Sequence, residues 1–101
     1  MSTMIEIIAG ESIHPTINLF DARTGDKIVK DNLSVSIELF HDGELVSLEY
    51  SVSDFQQNIG FIGLIPATAT AALSGSYKLI FTISNDELSA KSVVDLFVRT
   101  V

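Results

Sequence analysis

The residues whose types first suggest chemistry are the only two imidazoles, His14, directly before Pro15, and His41, within the segment "HDGE". A zinc site needs three or four ligands with local pairing such as His-x-His or Cys-x-x-Cys. Neither histidine has such a neighbour, and the chain has no cysteine, which also removes disulfides, thiolate sites and a cysteine nucleophile. A cysteine-free chain fits a reducing compartment. A Ser/His/Asp triad assembles in space, so counting alone does not dispose of it. Yet the serines fall mostly at outward strand positions or in turns, and no G-x-S-x-G elbow is present. The carboxylate pairs Asp21/Asp26, Asp42/Glu44 and Asp86/Glu87 lie in turn segments, where acids are favoured for backbone reasons. Calcium would take six to eight oxygens from such loops, but Asp21, Asp26, Asp42, Asp54 and Asp86 never reach D-x-D-x-D density. Gly60-Phe61-Ile62-Gly63 lacks the lysine and the helix of a phosphate-binding loop. The expectation is a non-enzyme without a catalytic, cofactor or metal site.

The elements that would position any functional side chain are strands. In "LSVSIELF", Leu33, Val35, Ile37 and Leu39 alternate with Ser34, Ser36 and Glu38, the period-two pattern of a half-buried strand. "SYKLIFTIS" places Tyr77, Leu79, Phe81 and Ile83 inward, and "ELVSLEYSV" does the same for Val46, Leu48, Tyr50 and Val52. "SVVDLFVRT" sets Val94, Leu96 and Val98 opposite Asp95 and Arg99. The punctuation agrees: "RTGDK" reads as a tight hairpin, "HDGE" supplies the Asp-Gly of a type I′ turn, and "SNDEL" turns the chain before its last strand. "PATATAALSG" opens with a proline that cannot donate to a ladder, allows one helical turn, and reads as the crossover between sheets. Strands are expected over 4–8, 14–20, 27–30, 33–40, 45–52, 59–65, 76–84 and 90–99. Seven or eight short strands at this spacing describe an all-β, immunoglobulin-like antiparallel sandwich or a small barrel, and the long crossover favours the sandwich.

With 101 residues the chain is long enough for one such domain, 1–101, in which residues 1–10 are available as an edge strand or arm. Six basic residues against 13 acidic give a net charge of −7. Nucleic-acid affinity comes largely from clustered Lys and Arg, and an anionic membrane surface asks for the same. Neither partner is expected. "MSTMIEIIAGES" has no basic n-region, and no stretch reaches the ~20 apolar residues of a spanning helix.

Two constellations remain. Leu73, Gly75 and Tyr77 form a Leu-x-Gly-x-Tyr signal at the head of an alternating run. In immunoglobulin-type sandwiches a tyrosine so placed bonds its hydroxyl to upstream backbone at the corner between strands. Leu73 would plug the core, Gly75 permit the turn, and Tyr77 lie inward with a wet hydroxyl; the competing reading offers that tyrosine to a ligand. The second constellation is Phe20, Phe40, Leu45, Ile62, Leu64 and Ile80, all on strand faces that should be wet. Several such residues together mark an interface. Otherwise they pack under loops, or the register is off by one, which would exchange the faces.

The order "INLFDARTGDKI … LSVSIELFHDGE … GFIGLIPATATAALSGSYKLIFTISND … VVDLFV" resembles the small immunoglobulin-like domains of tailed-bacteriophage virion proteins. The amino-terminal domain of siphophage upper baseplate proteins is the nearest pattern. The resemblance covers about residues 13 to 98. It implies a non-enzymatic structural protein that binds capsid or tail subunits, as a head-decoration (cement) protein or tail adaptor. It would be assembled in the host cytoplasm into the virion, with other virion proteins and further copies of itself as partners. The alternative from another class is a carbohydrate- or cell-surface-binding adhesion module. Against it stand the absence of tryptophan and the inward positions expected for Tyr50 and Tyr77.

Overall fold

The computed structural model describes residues 4–21, 23–26, 28, 32–56 and 60–100. Two sheets face each other across one core. The larger has five strands: β1 (Met4–Ile8), β3 (Ser34–His41), β4 (Glu44–Val46), β7 (Gly75–Ser84) and β8 (Ser89–Arg99). Their order in space is β1-β8-β7-β3-β4, and the smaller sheet runs β2 (Thr16–Ile17), β6 (Phe61–Leu64), β5 (Ser51–Val52). One helical turn, α1 (Ala67–Thr70), lies in the crossover from β6 to β7.

Alternation builds the core from both sheets. Ile37, Leu39, Leu79, Phe81, Ile83, Leu96 and Val98 come from the large sheet; Ile17 and Phe61, with Ile13 and Ile65 beside them, come from the small one. Leu39 and Leu79 have no exposed surface, and full burial of a leucine side chain is worth roughly 1.5–3 kcal/mol. The turn Asp42-Gly43 has φ of 51° and 82°, the paired positive values of a type I′ hairpin, and it joins His41 to Glu44 in register. At the other hairpin, Asn85 Oδ1 accepts the Glu87 and Leu88 amides at 2.8 and 3.0 Å.

The amino-terminal strand closes the chain's own sheet. β1 runs parallel to β8, Met4 opposite Asp95 and Ile8 opposite Arg99. The "RTGDK" hairpin is seen in the Asp21 amide donating to Asp26 O and the Ile28 amide donating to Leu19 O, both at 2.8 Å. Lys27, Val29 and Lys30 of the strand expected over 27–30, and Ile59 of the one over 59–65, lie outside the described residues.

Two expectations need correction. The strand over 14–20 contracts to Thr16–Ile17, flanked by an isolated bridge between Ile13 and Ile65. The strand over 45–52 is two strands in different sheets: β4 pairs with β3, and β5 pairs with β6. Ser47–Tyr50 is the step between sheets. Both sheets face the same core, so Val46, Leu48 and Val52 stay turned toward it across the break. Tyr50 does not; it is exposed, contrary to the inward position expected for it.

Candidate functional site

The groups suited to chemistry are dispersed. His14 is exposed on the chain leading into β2. His41 ends β3 with Nδ1 3.0 Å from the Ser76 carbonyl, its ring 4.7 Å from that of Tyr77, and Nε2 3.4 Å from Asp42. Asp21 uses Oδ1 to accept the Arg23 amide at 2.8 Å, so this acid organises its own turn. Among the described residues no three His, Cys, Asp or Glu side chains are grouped to hold a metal ion.

Leu73, Gly75 and Tyr77 come together at the corner leading into β7. Leu73 is buried, and its amide donates to Thr70 O at 3.0 Å. Gly75 has a φ of 92°, a region L residues avoid. The Tyr77 hydroxyl accepts the Ser74 amide at 3.0 Å while its ring, half-buried, packs on the core. That geometry employs both ends of the side chain in holding the corner.

The six apolar residues expected at an interface do not form one patch. Phe40, Leu45 and Ile80 lie on the outer face of the five-stranded sheet, because Leu45 is opposite Phe40 and Phe40 opposite Lys78. Ile62 and Leu64 lie on the outer face of the small sheet, on the far side of the molecule. Phe20 is 53% exposed beside a crevice of about 330 Å³ between the sheets, which Ile5, Pro15 and Val94 also line.

The large sheet's outer face is where apolar surface accumulates. One row crosses all five strands: Leu45, Phe40, Lys78, Asp95 and Met4. The next contains Glu38, Ile80 and Val93. Among the described residues seven large apolar side chains are exposed, and four of them (Met4, Ile8, Leu45 and Val93) are on this face. With Phe40 and Ile80, Met4 also lines a groove of about 560 Å³, to which the Lys78 Nζ–Asp95 Oδ1 ion pair, 2.8 Å long, contributes as well. A second pair, Arg99 Nε to Glu6 Oε1 at 2.6 Å, closes the end of the face.

Met4, Ile8 and Val93 were absent from the set of residues expected at the interface. The signal for Val93 was present: if Val94, Leu96 and Val98 point inward, Val93 and Phe97 must point out. Met4 and Ile8 follow from the same rule applied to "MIEII" once β1 is a strand.

No protein-family model matches the chain, and a search of curated proteins returns no match. A solved structure of titin Ig tandem domains is similar over the whole of this chain and 46% of its own length, at TM-score 0.53 and 10% sequence identity. This chain thus spans less than half of the structure it matches. Together with the 5 + 3 arrangement of strands, that likeness makes the fold an immunoglobulin-like β-sandwich.

Proposed function

We propose that the chain is a non-enzymatic protein-interaction module that docks through the outer face of its five-stranded sheet. One observation carries this reading: among the described residues, four of the seven exposed large apolar side chains share that face with the half-buried Phe40 and Ile80. Single apolar residues are ordinary on any surface, whereas several gathered on one face mark a contact. The fold supports the same reading, since such a sandwich can offer a flat, rigid sheet face as a contact surface. In finer terms the module is a structural part of a tailed-bacteriophage particle, a decoration or adaptor protein contacting capsid or tail subunits. That step rests on the turn and corner motifs "RTGDK", "HDGE" and "LSGSY".

Density-gradient purification of particles, followed by mass spectrometry, tests the finer reading. The wild-type chain is expected to travel with the particle, and the double substitution Leu45→Glu, Val93→Glu to be left in the soluble fraction while still folded. A chain absent from particles that binds immobilised glycans would instead favour the adhesion alternative, for which the exposed Tyr50 and Phe20 rings are the available stacking surfaces.

A further inference from the structure

We infer that the outer face of the five-stranded sheet is occupied by a second copy of this chain, related by a two-fold axis running along the strands between β7 and β8. The inference rests on the docking role proposed for that face and names its partner.

Charge is the first argument. The chain's net charge is −7, and a surface sharing that imbalance would repel its own copy. The outward positions of the five strands do not share it. They carry Lys78, Lys91 and Arg99 against Glu6, Glu38 and Asp95. Three charges of each sign balance at these positions, and Asp42 at the edge of the groove adds one negative charge, so nearly all of the imbalance lies elsewhere. A strongly basic partner would be the expected match for the rest of the surface, and a neutral, apolar one matches this face.

The pattern along the rows is the second argument, because it is self-complementary about one particular axis. Stacking two copies face to face puts the two-fold in the plane between them. An axis lying over β7 would set Lys78 against Lys78 of the second copy. Moving it half a strand spacing toward β8 sets Lys78 against Asp95 of the second copy, and Asp95 against its Lys78. The same operation opposes Ile80 to the second copy's Val93, and Phe40 to its Met4. Those pairings follow from the register in which Lys78 lies opposite Asp95, and Ile80 opposite Val93, within one chain. Stacked sheets sit ~10 Å apart and cross at up to about 30°. The central pairs therefore stay opposed while the corners of the face slide apart, and the prediction is confined to the centre.

Size sets the strength of the contact. This axis opposes β7 and β8 over ten paired residues, adds β3 to β1 only near Phe40 and Met4, and leaves β4 overhanging. At ~4.8 Å between strands and ~3.3 Å per residue that is roughly 400 Å² per partner, below the roughly 800 Å² of a stable interface, so the dimer is a weak, concentration-dependent one. The groove of about 560 Å³ lined by Met4, Phe40 and Ile80 lies on the opposed face.

The test uses sedimentation of the full chain over a concentration series with two charge variants. Lys78→Asp and Asp95→Lys should each raise the dimer dissociation constant at least about tenfold, since both central pairs become like-charged. Mixed in equal amounts, the two variants should dimerise again, because every central contact between them is then of opposite sign. Circular dichroism of each variant confirms that its fold is retained. A wild-type chain that stays monomeric up to about 1 mM overturns the inference, as do single variants that dimerise like the wild type or a mixture that fails to recover. These outcomes separate from the docking role itself. A monomeric wild type whose Leu45→Glu, Val93→Glu form is lost from the particle removes the second copy and keeps the face as a docking site. A dimer whose incorporation ignores those substitutions does the reverse.

Discussion

Thr70 is the only buried polar residue among those described, with no exposed surface, and its hydroxyl is engaged on both sides. Oγ1 donates to Glu11 O at 2.7 Å and accepts the Gly10 amide at 3.1 Å, so one hydroxyl ties the crossover to the segment leaving β1. The Tyr77 hydroxyl makes a comparable bond to the Ser74 amide, but in an exposed setting. Water can replace the second partner and cannot easily reach the first, and this difference decides the magnitudes. Thr70→Val keeps the shape and strands two backbone groups; it should cost about 1–3 kcal/mol, whereas Thr70→Ser should restore most of it. Tyr77→Phe should cost about 1 kcal/mol or less. Urea unfolding of the three variants checks the order, and a Tyr77→Phe loss exceeding that of Thr70→Val would refute it. The Tyr77 corner was legible because its parts lie within five residues of sequence. Nothing around Thr70 in "TATA" distinguishes it from its neighbours, since its partners Gly10 and Glu11 are 60 and 59 residues away.

At the scale of elements, the small sheet depends on how closely β6 approaches β2. Gly60 precedes β6 at φ 103°, and a Cβ there would overlap the Asn18 carboxamide and stand 2.7 Å from the Ile17 carbonyl oxygen. Both the torsion and the contact oppose any side chain. Gly60→Ala should therefore destabilise by roughly 2–4 kcal/mol, the sum of backbone strain and overpacking. Gly43→Ala keeps a strained torsion but meets nothing within 4 Å, so it should cost less. Thermal melts of the pair give the comparison, and equal losses would mean that the torsion alone matters. The sequence shows a glycine in each place and cannot show which one faces backbone. A similar limit explains the strand expected over 45–52. Period-two alternation reports which side of a residue meets the core, and it does not report which sheet supplies the hydrogen bonds. Val46 and Val52 both face inward, one from each sheet, so the switch at Ser47–Tyr50 leaves the pattern almost unmarked. Tyr50, the residue that breaks alternation, is aromatic and reads as core. The outer face was half legible for the same reason: alternation found Phe40, Leu45 and Ile80, but only pairing places Ile62 and Leu64 on the opposite side of the molecule.

For the whole molecule, the inequality of the two sheets sets how it unfolds. β2 and β5 have two residues each and β6 has four, too little ladder for a sheet to persist without a partner. What holds the small sheet is the apolar contact of Ile17, Phe61 and Ile65 with Leu39, Leu79 and Phe81 in one shared core. Phe61 itself is only 6% exposed, and its ring meets Phe55 edge-on at 5.3 Å between centroids. Removing it takes away the small sheet's largest core side chain, and the large sheet then loses the cover over its inner face. Neither sheet can open alone without wetting both halves of the core. Phe61→Ala should consequently cost about 3–5 kcal/mol, and Leu79→Ala on the other sheet about 2–5 kcal/mol. Against a total near 5–15 kcal/mol, either leaves a domain that melts in one step at a lower temperature, with no stage in which five strands survive and three are lost. Far-ultraviolet circular dichroism follows the ladders and intrinsic tyrosine fluorescence follows the packing around Tyr77 and Tyr50. The two transitions should coincide in the wild type and in both variants. A Phe61→Ala chain whose tyrosine signal changes well before its dichroism would show that the large sheet stands by itself.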